Sequence, residues 1–183
     1  MKKHPAAFIP HALFVLAVIY MVQYVINDGG NDLYIYRLGA ETIADGPGGP
    51  GLYEVSLDNY PFTYPPFDAL LFVPFALMPK EVGMALMMLI TAGIAWWLGW
   101  VITKYVSRRG VRIPLYEHLG TAGCASTLAL LIWASGPWRL TTHFGQINAV
   151  ILLLVLADFL RPATRIPRGV LIGIAGGIKL TPL

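Results

Sequence analysis

Long apolar runs alternate with short basic clusters along this 183-residue chain. The runs at residues 8–26 and 82–103 are each long enough to cross the hydrocarbon layer of a bilayer. The composition agrees, since 56% of the residues are hydrophobic and 13% are charged, and the mean hydropathy is +0.63. Such values lie outside the range of soluble domains. The sequence therefore predicts an all-α membrane protein folded as a multi-span helical bundle.

The basic clusters lie where cytoplasmic loops of membrane proteins carry their positive charge. They are Lys2 and Lys3, then Lys104, Arg108, Arg109 and Arg112, and finally Arg161, Arg165 and Arg168. This charge pattern predicts a single transmembrane domain over residues 1–183 with spans at 8–26, 82–103, 119–135, 147–160 and 169–183. The net charge of +3 is explained by these loops and does not indicate binding of nucleic acid. Because the sequence stops inside an apolar segment, we expect the amino-terminal part of a longer protein or a truncated relative of one.

A long first outer loop is predicted over residues 27–81. Its first 40 residues carry six acidic side chains against Arg37 alone. Asn31 or Asp32 can cap a helix that runs to about Ala44, and Leu33, Tyr36, Arg37, Ala40 and Ile43 would share one face of it. The apolar segment 67–79 is too short to span, so we expect it to lie at the interface or to re-enter the membrane.

Two charged residues are the first candidates for chemistry. Asp32 lies just outside the first predicted span, where it could serve as a helix cap or as a carboxylate that accepts a proton. Lys179 lies about eleven residues into the last predicted span, counted from Arg168. An ammonium at that depth needs a cavity or an anionic partner, which could be a substrate or a further span.

Polar residues also gather around one predicted span end. They are Arg139, His143, Gln146 and Asn148, and each is either an interfacial anchor, a helix cap or part of a site. No set of His, Cys and carboxylate residues has the spacing of metal ligands, so neither a metal nor another cofactor is expected.

Four motifs occur in an order that resembles glycosyltransferase family 87, in the GT-C superfamily of enzymes that use polyprenyl-phosphate sugars. They are Asp32-Leu33-Tyr34-Ile35-Tyr36, the segment from Phe62 to Leu71, Gly145-Gln146-Ile147-Asn148, and the segment from Gly173 to Pro182. The resemblance covers most of this chain but only the first half of such an enzyme.

The resemblance implies a bundle of GT-C type with its active site on the extracytoplasmic side. The implied donor is a polyprenyl-phosphate-mannose, the implied acceptor is a glycolipid or lipoglycan in the membrane, and the reaction inverts the sugar's configuration. Asp32 matches the general base. The residues themselves fit this chemistry, because Lys179, Arg139 or His143 could stabilise the departing phosphate. The aromatic residues Tyr36, Tyr60 and Tyr64 could line a sugar or lipid groove. Apart from Tyr60, they make up the predicted substrate-binding set with Arg37, Gln146 and Asn148.

Two other hypotheses remain at this stage. Polar residues inside the membrane and broken helices also occur in transporters and channels, although an acidic and aromatic outer loop is less typical of them. A truncated relative without activity is the other alternative. The sequence does not distinguish a mannose donor from an arabinose donor.

Overall fold

The computed structural model describes residues 5–46, 49–111, 114–162 and 165–180, and the protein is all-α in these ranges apart from one short hairpin. The helices are α1 (Phe8–Asp28), α2 (Asn31–Ala44), α3 (Pro66–Ala76), α4 (Lys80–Arg108), α5 (Pro114–Ala134), α6 (Gly136–Phe144), α7 (Asn148–Leu160) and α8 (Val170–Ile178). A 3₁₀ turn, Pro5–Ala7, precedes α1. The all-α membrane fold predicted from the sequence is confirmed. Lys2, Lys3, Arg112 and the pair Thr181-Pro182 lie outside the described residues.

Helices α1, α4 and α5 form the centre of the bundle. Helices α4 and α5 approach so closely that a Cβ on Gly99 would lie 2.3 Å from the Ala125 carbonyl oxygen. Small residues permit this contact, which is how helices pack inside a membrane. On the other side, Phe14 of α1 meets Trp133 of α5 edge to face, with ring centroids 6.0 Å apart. These contacts form a central core. Helices α2, α3 and α8 pack at the end of this core where α1 ends and α4 begins.

Helices occupy all five predicted spans, but they differ in length. Among the described residues, α1 and α4 are long and apolar enough to cross a membrane, and α5 with α6 would make a third span if this pair, bent by 73°, counts as one. Helix α7 is apolar but has 13 residues. Helix α8 ends at Ile178, so the segment predicted to span at 169–183 is helical over nine of its described residues.

Helix α2 covers the range predicted from the sequence, but a different residue caps it. Its N-cap is Gly30, with φ 90° and no side-chain cap, so the prediction that Asn31 or Asp32 caps the helix is wrong. A left-handed φ favours glycine, and the Gly30 N–H donates to the His143 carbonyl oxygen at 2.9 Å. This bond joins the start of α2 to the end of α6 and leaves the Asp32 side chain free of a capping role.

The predicted common face of α2 packs against α3. Leu33, Tyr36, Arg37 and Ala40 are buried, and Ile43 is partly buried. The Arg37 guanidinium donates to the carbonyl oxygens of Phe75, Ala76 and Met78 at the end of α3. Since the last carbonyls of a helix lack partners within it, Arg37 completes the end of α3.

A two-stranded antiparallel hairpin precedes α3, and the sequence did not predict it. Strand β1 (Ser56–Leu57) pairs with β2 (Tyr60–Pro61), and Asp58 in the turn has a φ of 53°. Phe62 follows directly and is buried against Ile35 and Ala69. The hairpin thereby fixes the segment that carries Tyr64 over the face of α2.

Candidate active site

Lys179 lies at the centre of a group of polar side chains that come from distant parts of the sequence. Its ammonium donates to Asn148 Oδ1 at 3.1 Å, and the Asn148 amide donates to Gln146 Oε1 at 2.6 Å. The same ammonium lies over the ring of Tyr64, 5.4 Å from its centroid. Helix α8 ends one residue earlier, at Ile178, so the extended backbone of Lys179 delivers the side chain to the outer-loop segment.

Tyr64 continues the group toward α2. Its ring meets the buried Tyr36 at a centroid distance of 4.8 Å, and Tyr36 stacks on Phe72 at 4.5 Å. Burial raises the pKa of Tyr36 above its usual range, and the neighbouring Tyr64, Asp32 and Asp68 raise it further. Burial also raises the pKa of Tyr64, the Tyr36 hydroxyl offsets part of this rise, and Asp32 and Asp68 add smaller increases. Both phenols therefore stay neutral, and both lie within the electric field of the two carboxylates.

The structure thus brings six of the predicted residues together. They are Asp32, Tyr36, Tyr64, Gln146, Asn148 and Lys179, and we call them the outer cluster. Asp32 lies in the first turn of α2 and Lys179 directly after α8. A cavity of about 490 Å³ opens beside Lys179 and Tyr64, with Tyr53, Thr63, Pro65, Pro66 and Leu180 as its other walls. The cluster combines a cation, a carboxylate and neutral hydrogen-bonding groups next to a space that can admit a ligand.

Asp68 is a member of this neighbourhood that the sequence analysis did not single out. It lies in the first turn of α3 and has no exposed surface. Burial raises its pKa to about 7, and the Lys179 ammonium limits the rise. Asp68 stands inside one of the motifs on which the resemblance rests, but its position in an apolar run gave no further signal.

Arg139 and His143 belong to a different cavity. This space, of about 720 Å³, lies between α1 and the bent pair α5 and α6, and Tyr20, Tyr24 and Trp133 are among its walls. The His143 ring contacts Tyr24 at a centroid distance of 5.7 Å. The two cavities share no wall residue among those described. A role of Arg139 and His143 in binding substrate stays a prediction.

Arg37 is also outside the outer cluster. Arg37 is 7% exposed, and its guanidinium donates hydrogen bonds to carbonyl oxygens at the end of α3. These contacts give Arg37 a structural role, and its predicted contact with substrate has no support from them. Within the described ranges, no group of three or more His, Cys, Asp and Glu side chains could hold a metal ion.

The motifs in the outer cluster fall inside a region shared with known proteins. The model of glycosyltransferase family 87 matches residues 62–183. The chain belongs to glycosyltransferase family 87. This match includes Tyr64, Asp68, Gln146, Asn148 and Lys179, whereas Asp32 precedes the matched region.

Curated relatives of this family-87 chain extend the similarity to most of its length. A polyprenol-phosphate-mannose-dependent alpha-(1-2)-phosphatidylinositol pentamannoside mannosyltransferase of Mycolicibacterium smegmatis is 36% identical over 168 residues, which cover 87% of this chain and 37% of the relative. A polyprenol-phosphate-mannose-dependent alpha-(1-2)-phosphatidylinositol mannoside mannosyltransferase of Mycobacterium tuberculosis is 32% identical over 161 residues, which cover 82% of this chain and 37% of the relative. The chain therefore spans little more than a third of their length. No solved structure matches it.

Proposed function

We propose that this chain forms part of a mannosyltransferase that uses polyprenyl-phosphate-mannose as donor and a membrane glycolipid or lipoglycan as acceptor. The observation that carries the proposal is the outer cluster, in which Asn148 and the ring of Tyr64 hold the Lys179 ammonium and Lys179 and Tyr64 line one cavity. The Asp32 carboxylate belongs to the same group, since it acts electrostatically on Tyr64. The names of the relatives agree with this donor and with an acceptor of the phosphatidylinositol mannoside class.

Each residue of the cluster has a part in the proposed mechanism. Asp32 removes the proton from the acceptor hydroxyl as that oxygen attacks the anomeric carbon of the mannose. The bond from this carbon to the phosphate breaks on the opposite face, so the configuration of the sugar inverts. Lys179 stabilises the phosphate that leaves, because an ammonium is worth more to a developing charge where water is excluded.

The remaining members position the two substrates. Asn148 holds the Lys179 ammonium and is itself held by Gln146, so the cation has a fixed direction before the phosphate arrives. Tyr64, which lines the cavity, offers a neutral hydroxyl group and a ring to the sugar, and the buried Tyr36 packs behind it. The exposed apolar surface around the bundle suits the lipid parts of both substrates.

The direct test is transfer in membranes that contain the full-length protein. Radiolabelled polyprenyl-phosphate-mannose should give a labelled glycolipid, and membranes without the protein should not. Transfer from polyprenyl-phosphate-arabinose in place of mannose would contradict the proposed donor. Failure of both donors would contradict the proposed reaction. The same assay on residues 1–183 alone measures whether this part of the protein suffices.

We further propose that the outer cluster faces away from the cytoplasm. The support is the position of the basic residues, since Arg108 and Arg109 lie at the end of the long helix α4 and positively charged loops stay in the cytoplasm. Single cysteines at positions 45 and 109, placed in a Cys124→Ser background, test this orientation in intact cells. An impermeant thiol reagent should label position 45 and not position 109, and the reverse result would overturn the orientation.

A further inference from the structure

Asp68 is buried in a manner that ordinary packing does not explain. Asp68 is 0% exposed, and neither of its carboxylate oxygens has a hydrogen-bond partner in the part of the chain that the structure describes. Buried polar groups nearly always have hydrogen-bond partners, and an ionised carboxylate without one is costly.

The charges around Asp68 come from several elements. Helix α8 is followed by Lys179, whose ammonium acts on Asp68 directly. Helix α2 contributes Tyr36, and the segment before α3 contributes Tyr64; Asp32 of α2 acts on both of these phenols, as Asp68 does.

The other charged side chains near α3 are engaged elsewhere. Arg37 of α2 binds the far end of α3. On α4, Lys80 lies over the ring of Tyr34, and Glu81 is in the same first turn. None of these three is among the groups that act on Asp68.

A count of charge shows what the site needs when an anion binds. With Asp68 ionised, the outer cluster and Asp68 together carry two negative charges and one positive charge. A phosphodiester adds one more negative charge, and like charges at close range in a partly buried site repel strongly. With Asp68 protonated, the same site is neutral before the phosphodiester arrives and carries a single excess charge afterwards.

We propose that Asp68 is a positioning residue for the donor: it acts through Lys179, and it takes up one proton from water when the phosphodiester of the donor binds at that ammonium. Before binding, the Asp68 carboxylate is attracted by the positive charge of the Lys179 ammonium. On binding, the phosphate replaces the carboxylate as the counter-ion of Lys179, and the protonated acid stays buried at low cost. No covalent bond changes in this step. The inference rests on the proposed function, because it assumes a phosphate at Lys179.

The direction of the pH effect follows from this linkage. The pKa of Asp68, raised by burial to about 7, lies inside the working range of pH. Below it the proton is already present, and donor affinity is independent of pH. Above it the proton must be taken up, so donor affinity falls by up to about tenfold for each pH unit.

Calorimetry on the full-length protein in detergent tests proton uptake without any mutation. The probe is a polyprenyl-phosphate-mannose with a short prenyl chain, since its phosphodiester does not itself titrate near neutral pH. Binding is measured at pH 8 in two buffers with different enthalpies of ionisation. The two binding enthalpies should differ by an amount that corresponds to about one proton per donor bound. Equal enthalpies in the two buffers would overturn the inference while leaving donor binding, and with it the proposed function, intact.

The Asp68→Asn variant then assigns the proton. Its donor affinity should match that of the wild type at pH 6 and should exceed it by about tenfold at pH 8, because the variant pays no cost of protonation. Asp28→Asn, at the exposed end of α1, is the matched control and should keep the wild-type pH profile. A wild-type profile in Asp68→Asn would assign the proton to another group and refute the role of Asp68. Absence of donor binding to the wild type would contradict the proposed function itself.

Discussion

Two aspartates are buried at different places in this molecule, and their surroundings differ sharply. Asp158 of α7 is 2% exposed and Asp68 of α3 is 0% exposed. Asp158 accepts a hydrogen bond from Arg161 Nε at 2.9 Å and another from the Gly169 N–H. Asp68 has no such partner among the described residues. Both carboxylates are therefore buried, but within the described part of the chain only that of Asp158 is hydrogen-bonded.

The difference indicates what each carboxylate does. Asp158, Arg161 and Gly169 bridge the connection between α7 and α8, and Arg161 also donates to the carbonyl oxygens of Ile166 and Pro167. A buried carboxylate with all its partners in the protein holds the fold. Asp68 lies where α3 meets Lys179, and the hydrogen-bond partner that it lacks among the described residues is one that a substrate or a proton can supply. The comparison distinguishes Asp68, which lies beside the outer cluster that we propose as the active site, from the Asp158 bridge, which holds α7 and α8 together.

The largest expected effect belongs to Asp32. Asp32→Asn keeps the shape of the side chain but loses the basic oxygen, so turnover should fall by about 10²- to 10⁴-fold. Stability should change little, because Asp32 makes no capping bond and lies only in the favourable field of a helix start. The measurement is the initial rate of mannosyl transfer, with the melting temperature in detergent as the control for folding.

Asp28 and Asp45 provide matched controls for this variant. Both are exposed and lie at the ends of α1 and α2. Their Asn variants should transfer mannose at the wild-type rate. If Asp32→Asn also does so, Asp32 is not the base and the outer cluster lacks its proposed centre.

A smaller effect is expected at Lys179. Lys179→Met keeps the length of the side chain but removes the charge-assisted contact with the donor phosphate, a type of contact worth about 1.5–3 kcal/mol. The KM for the donor should rise by about 10- to 100-fold, and the protein should remain folded. Lys80→Met is the control, since Lys80 is exposed and lies over Tyr34. An unchanged donor KM in Lys179→Met would make Lys179 a structural residue like Arg161.

The smallest effect is expected at Arg37. A variant there tests whether this residue stabilises the fold without binding substrate. Arg37→Lys keeps the charge but loses the planar fork that serves several carbonyls of α3. The free energy of unfolding should fall by about 1–3 kcal/mol, and the donor KM should stay at its wild-type value. Arg109→Lys, at the exposed end of α4, should change neither quantity. A raised donor KM with unchanged stability would restore the sequence-based prediction that Arg37 binds substrate.

Much of the fold was predictable because the membrane requires its spanning segments to be apolar helices. Apolar runs of membrane-spanning length fix where helices occur, and α1, α2 and α4 follow the predicted ranges closely. The start of α2 was mispredicted because Asn31 and Asp32 are strong capping types, while the actual cap, Gly30, is set by its tertiary bond to His143. The hairpin at 56–61 has strands of two residues, which are too short to leave a periodic signal.

The sequence predicted those site residues whose position along the chain was informative. It did not predict residues whose role depends on burial in the folded protein. Gln146 and Asn148 were predicted from their position at a predicted span end and Lys179 from its depth in the last predicted span. Hydrogen bonds join the three in the structure. Arg139 and His143 were grouped with them by charge, yet they line another cavity. Asp68 was not predicted as a site residue, because an acidic residue at a helix start is ordinarily explained by its favourable interaction with the helix dipole. Its lack of partners becomes visible only when α2, α3 and α8 are packed together.

The most direct test of this account compares Asp68→Asn with Asp158→Asn in the same protein. Breaking the bridge at Asp158 should cost about 3–5 kcal/mol of unfolding free energy, because it leaves the mostly buried Arg161 without its carboxylate. Asp68→Asn should unfold at the wild-type temperature or above it, since the variant removes a buried carboxylate that has no hydrogen-bond partner among the residues the structure describes. The measurement is the thermal unfolding of both variants in detergent at pH 8. A loss of stability in Asp68→Asn equal to that in Asp158→Asn would contradict the account, because it would show that Asp68 holds the fold as Asp158 does.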